Sequence, residues 1–362
     1  NIGHKNLVFS TVGDERAFER LPLGRVKPAL ALSLSEIAIL ARVTRSAMLD
    51  TLREDRYGAL MGTASSVAHV LRAIDAARAC FTEVKVNVVV QRGRNDDELV
   101  SHQRGLGITT TILLPSGRPV NRGSTHNGRA NGLDSTCTGN EDCLAVAKRH
   151  PGEFVFGANE VSDLEDAPAV VEKYLKLGAV VIGEQKFGVE CDSPAMQRLY
   201  ELAAAYNVPI LMHWQTGSYN HGFDRFHRML AKYPKTNFIG HAQTWWANID
   251  AANVDDPRNL YPTGKVKAGG LTDRYLRDYP NMYGDLSAGS GLGAFARDPE
   301  HGAAFLARHQ DKLMYGSDCS DASAVAAQCS GLRQLEQIRR LAPNKVAERK
   351  ILHGNAKRLF RL

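Results

Sequence analysis

Three apolar runs in this chain each finish on a residue able to bind a metal ion. "VPILMH" (208–213) ends on His213, "NFIGH" (237–241) ends on His241, and "KLMYGS" (312–317) is followed at once by Asp318. Two imidazoles and a carboxylate suit a borderline divalent cation, with zinc first and manganese or iron also compatible. A fourth donor stands in "GEQK" (183–186), where Glu184 is a candidate ligand and Lys186 a candidate partner for a substrate carboxylate. Any one such histidine taken alone reads more simply as a buried side chain satisfied by hydrogen bonds. Three donors at equivalent strand ends favour a shared site.

The elements that must position these residues are legible as an alternation. Strands are expected at 84–90, 108–114, 153–159, 179–185, 208–213, 237–241, 281–286 and 312–317. The runs are nearly continuous in Val, Ile, Leu and aromatic residues, the pattern of parallel strands covered on both faces. Amphipathic stretches lie between them. "SP" before "AMQRLYELAA" reads as an N-cap with proline in the first turn. This order predicts an α/β fold, a (β/α)8 TIM barrel over residues 84–362, with residues 1–83 as an N-terminal extension. An open doubly wound sheet is the rival, but "VVVQRGRND" after the first strand is not a glycine-rich phosphate turn. In a barrel the ends of separate strands converge on one opening, which explains why distant residues can share a site.

Composition narrows the class. The 362 residues are 43% hydrophobic and 23% charged, with a formal net charge of +6. That bias favours anionic small molecules and, without a basic block interleaved with aromatics, does not point to nucleic acid. The six cysteines form no CxxC pair and read as reduced thiols. "PALALSLSEIAIL" is too short to span a bilayer, and no run reads as a signal peptide. The expectation is a cytoplasmic protein that acts on a small molecule, with no membrane partner. Association into a homo-oligomer is compatible with the sequence.

"VPILMHW", "NFIGHA", "NMYGDLS", "KLMYGSDC" and the closing "ILHGNAKRLFRL" resemble, in that order, motifs of the amidohydrolase superfamily. The nearest branch is the amidohydrolase-related one, which also holds decarboxylases and lactonases. The resemblance spans residues 84–362. It implies a metal on the C-terminal face of the barrel, with His213, His241 and Asp318 as ligands and Asp318 also as proton acceptor. It implies a hydrolase of a small, anionic cyclic ester or amide, with metal-bound water activated through Asp318 and the carbonyl polarised by His241 or the metal. A non-hydrolytic decarboxylase on the same barrel is the alternative. One departure is plain. The family carries His-x-His at the end of its first strand, where "VKVNVVV" has Asn87 and Val89. The chain would then use a reduced ligand set of His213, His241, Asp318 and Glu184, work without metal, or be catalytically silent. Lys186, His221, Trp245, Trp246 and Tyr283 are expected substrate contacts, with Tyr219 and Arg225 as further candidates. The paired tryptophans are expected in a loop over the opening. Arg118, Arg122, His126 and Arg129 give the loop at 115–140 a basic tip, and Asp285 is expected to position Lys186 or a substrate hydroxyl.

Overall fold

A computed structural model describes residues 100, 103–115, 117, 139–318 and 329–362. The expected strand at 84–90 with Asn87 and Val89, the extension at 1–83, and the arginines and His126 of the 115–140 loop lie outside the described residues. Val100 apart, the described residues belong to one compact unit.

Among the described residues seven strands alternate with helices. The strands are β1 (Thr111–Leu113), β2 (Phe154–Phe156), β3 (Ile182–Gln185), β4 (Ile210–His213), β5 (Phe238–His241), β6 (Met282–Asp285) and β7 (Leu313–Met314). The helices that matter here are α1 (Asn140–Arg149), α2 (Ala167–Lys176), α3 (Pro194–Tyr206), α4 (His227–Lys232), α5 (Gln243–Ala247), α6 (Leu271–Asp278), α7 (Ala288–Ala296), α8 (Pro299–His309), α9 (Ser330–Leu341), α10 (Lys345–Arg349) and α11 (Asn355–Phe360). β1 pairs with β2, and β3 to β7 form a second sheet, all parallel. An isolated parallel bridge, Ala158 to Ile182, joins the two. Neighbours in space are therefore neighbours in sequence from β1 to β7. A doubly wound sheet reverses strand order at a switch point, and among the described residues no reversal occurs. Right-handed crossovers between sequential parallel strands put the crossover helices on one side, so the sheet curls with its other face inward. The fold is of the TIM-barrel type.

Alternation along the strands sets the two faces. On β4, Ile210 and Met212 are fully buried, and on β5 so is Phe238. The other face carries Leu211, Ile239 and Met314, which form one apolar cluster with Val181, Tyr283 and Leu359 of α11. His213 follows Leu211 by two residues, His241 follows Ile239 by two, and Asp285 follows Tyr283 by two. The polar side chains thus form a layer directly above the apolar one, on the same face.

Local signals agree with this frame. Ser193 caps α3, its hydroxyl accepting from the Met196 amide at 3.3 Å, with Pro194 in the first turn and Asn207 in the left-handed conformation at the other end. The side-chain amide of Asn355, from the closing "GNAKRLF" run, donates to the carbonyls of Gln310 and Leu313 at 2.7 and 2.8 Å, which fastens α11 to β7.

Candidate metal centre

β4 and β5 pair in register, with His213 directly opposite His241. The two rings lie with centroids 5.3 Å apart. Glu184 reaches them because β3 is irregular. Between the pairs Ile182–Ile210 and Gln185–Met212, β3 spends one more residue than β4. An extra residue moves every later side chain of that strand to the opposite face. Simple alternation from Val181 would turn Glu184 outward, and the shift turns it inward.

Glu184, His213 and His241 bring ligand atoms to within 4.8 Å of one another. Nδ1 of His213 contacts the Glu184 carboxylate, and Nε2 of His241 lies 3.4 Å from it. On its other side His241 places Nδ1 2.9 Å from Asp285 Oδ2. The Ser287 amide donates to Asp285 Oδ1 at 3.2 Å. The ring of His213 is likewise held, with Nε2 3.2 Å from Gln215 Oε1 and its backbone carbonyl accepting from Asn220 at 2.7 Å.

The electrostatics fit a cation. Burial pushes the Glu184 carboxyl up, but the charges of His213 and His241, the His213 hydrogen bond and Lys186 together hold it well below the usual carboxylate range. Burial lowers His213, only partly offset by Glu184. Burial also lowers His241, yet the hydrogen bond and charge of Asp285, with Glu184 and Asp318, raise it to about 9. The pocket of donors therefore draws positive charge. Two imidazole nitrogens and one carboxylate match the donor set that three-ligand catalytic metal sites use, so these residues could hold a divalent ion.

The expected site residues separate into groups. Of the four expected ligands, the structure brings His213, His241 and Glu184 together. Asp318 stands at the rim, its side chain 62% exposed, with Oδ2 3.9 Å from His241 Nε2, outside the three-residue cluster. Lys186 lies 5.5 Å from the ring of Tyr219, which in turn packs edge-on against His213 at 5.4 Å. Tyr283 sits in the apolar layer one step below Asp285. His221 is pinned through its backbone, which pairs with Val189 and Cys191. Arg225 is committed to Glu190 and Asp192. Asp285 faces His241, where the sequence reading aimed it at Lys186 or a substrate hydroxyl.

Trp245 and Trp246 require a correction. They belong to α5, not to an open loop, and are 0% and 2% exposed. Trp245 fills the space left by the missing side chain of Gly240. The Trp246 indole donates to the Asp285 carbonyl at 2.9 Å and packs on Phe295. They support the strand ends from behind, with no more than 2% of either residue open to solvent. Gln215, two residues beyond His213 in "HWQTG", went unread. Its signal was its place at a strand end.

Residues 270–362 match the family model described as Amidohydrolase. This segment is about a quarter of the chain. It runs from α6 to the chain's last residue and includes both Asp285 and Asp318. Solved structures similar to this chain include an uncharacterized TIM-barrel protein from Bordetella bronchiseptica, at 18% identity and TM-score 0.49, covering 73% of this chain and 81% of that one. Another is a probable 2-pyrone-4,6-dicarboxylic acid hydrolase from Acinetobacter baumannii, at 13% identity and TM-score 0.47, covering 76% and 94%. A dihydroxybenzoic acid decarboxylase from Polaromonas sp. JS666, with bound manganese, aligns at 15% identity and TM-score 0.45, covering 88% and 94%. A stretch of 33 residues is 91% identical to a probable RNA methyltransferase of Methylibium petroleiphilum, which is 9% of each chain. The chain spans about a tenth of the length of the curated relatives it matches. Among the described residues no helix is long and apolar enough to cross a membrane.

Proposed function

We propose that this chain is a metal-dependent enzyme acting on a small carboxylate-bearing molecule, and that its reaction is loss of that carboxylate as carbon dioxide. The observation that carries the reading is the placement of Lys186. Its ammonium lies 5.5 Å from the Tyr219 ring, and that ring packs edge-on against His213 at 5.4 Å, so the cation that suits a substrate carboxylate stands beside the ligand set itself. A carboxylate held there is the group next to the metal.

Glu184, His213 and His241 would hold the ion. When bound, it supplies positive charge that orients the carboxylate and draws electron density toward it. The protein's own residues do the rest. Lys186 binds the carboxylate, and Tyr219 limits where the lysine can reach. As the carbon–carbon bond breaks, carbon dioxide leaves with both carboxylate oxygens. The electron pair stays on carbon and takes up a proton, which Asp318 at the rim is placed to relay from solvent. A pair left on carbon must be delocalised, so the substrate class is an aromatic or conjugated unsaturated acid.

Hydrolysis of a cyclic ester or amide is the second reading. Asp318 favours it, since a carboxylate 3.9 Å from His241 Nε2 can also accept a proton from water. Turnover of a panel of aromatic acids and carboxylate-bearing cyclic esters with Mn²⁺ or Zn²⁺ in ¹⁸O-labelled water separates the two. Decarboxylation releases carbon dioxide and leaves no label bonded to carbon in the remaining product. A product that keeps every carboxylate and gains one labelled oxygen overturns it.

A further inference from the structure

The two histidines of the cluster offer different nitrogens to it. His213 turns Nδ1 toward Glu184 and His241 turns Nε2. Each ring's other nitrogen has its own acceptor. Nε2 of His213 lies 3.2 Å from the Gln215 side-chain oxygen. Nδ1 of His241 lies 2.9 Å from Asp285. A neutral imidazole carries one proton, and the nitrogen that donates it leaves the other with a free lone pair.

We infer that Gln215 and Asp285 are positioning residues that fix the two rings in opposite tautomers, Nε2–H in His213 and Nδ1–H in His241. The lone pairs of His213 Nδ1 and His241 Nε2 then point, with the Glu184 carboxylate, at one place. Three acceptors facing one another repel unless a proton or a cation stands among them, and in the metal-loaded protein the cation would take that place. The inference rests on the metal site of the proposed function but not on its reaction.

Both acceptors are themselves built in. Gln215 is held through its backbone, its amide and that of Tyr219 both pairing within the turn. Its side-chain amide lies 3.4 Å from the Ser218 hydroxyl, which orients the carbonyl oxygen toward His213. Asp285 is held by the Ser287 amide at 3.2 Å and by its hydroxyl at 2.5 Å. Acceptors behind ligating histidines set tautomer and ring angle, and their loss weakens metal binding by roughly 10-fold to 100-fold.

The test is a Zn²⁺ titration of the full chain against a chromophoric chelator, with imidazole ¹⁵N spectra of the zinc-loaded protein. The spectra are expected to place the His213 proton on Nε2 and the His241 proton on Nδ1. Gln215→Met is expected to lose roughly 10-fold to 100-fold in zinc affinity. Gln215→Glu, which accepts the same hydrogen bond, keeps it. Asp285→Asn is expected to weaken zinc because its amide supports either tautomer. Zinc binding by Gln215→Met equal to the parent's, a proton on His213 Nδ1 in the loaded protein, or a parent chain that binds no zinc overturns the inference. If Gln215→Met fails to fold, the parent's spectra still decide. Zinc bound as described without carbon dioxide release sinks the proposed reaction alone.

Discussion

At the scale of single residues, chemistry was readable where type and strand-end position coincide. His213 and His241 end apolar runs, and period-two alternation puts each on the inner face. Glu184 was readable as a donor, but its inward turn depends on one extra residue in β3. No pattern in "VVIGEQK" announces that irregularity. Asp318 shows the reverse case, since a strand end guarantees a place at the mouth and not a place in the cluster. Lys186 yields a prediction at this scale. Lys186→Met should raise KM for a carboxylate substrate about tenfold or more, the loss of one charge-assisted contact. Zinc should bind as tightly as before or tighter, because a positive charge beside Glu184 and His213 has been removed. Paired kinetics and zinc titration check both. Weaker zinc binding in this variant would mean that Lys186 supports the ligands instead of the substrate.

At the scale of elements, the support behind the strands was misread for a physical reason. A polar, mixed stretch after His241 looks like a loop, and the short helix α5 exists only because Gly240 leaves room for Trp245 to fold back over β5. Tertiary packing decided what local propensity could not. Gly240→Ala would drive a methyl group into the indole of Trp245. The expected cost is about 1–3 kcal/mol, the range for overpacking a filled core. Trp245→Phe added to Gly240→Ala should recover part of it, and a double-mutant cycle by urea unfolding reads the coupling. Additive losses would show that the two do not share the space. A second element prediction concerns pH. Asp298 caps α8 and accepts from the amides of Val266 and His301. The Val266 hydrogen bond leads the effects that hold its carboxyl down at about 2, against 3.8 for the free group. A carboxyl depressed in the folded state stabilises above pH 3.8, and that contribution is lost as pH falls from there through about 2. Asp298→Asn keeps a capping oxygen without the charge, so the gap in melting temperature between parent and variant should close in this acid window. A gap that stays constant from neutral pH to below 2 would remove the ionised cap from the account.

At the scale of the whole molecule, the alternation of strands and helices made the barrel class legible, and sequential parallel pairing from β1 to β7 carries it. The resemblance seen along 84–362 is matched by the family model only from residue 270. The three cluster residues lie before that point, on three different strands. This separation has a thermodynamic consequence. Glu184 and His213 are 29 residues apart in sequence, and only the folded sheet brings them and His241 together. A metal that needs all three binds the native state and not the unfolded chain, so binding energy becomes folding energy. At a free zinc concentration about one hundred times Kd, the native state gains about 2.7 kcal/mol. The parent chain should therefore melt higher with zinc than with chelator. Glu184→Gln takes away the only carboxylate of the cluster, so most of that rise should vanish, while its melting temperature in chelator stays close to the parent's. An equal zinc-induced rise in Glu184→Gln would place the stabilising metal elsewhere on the molecule and detach the cluster from any role in holding it.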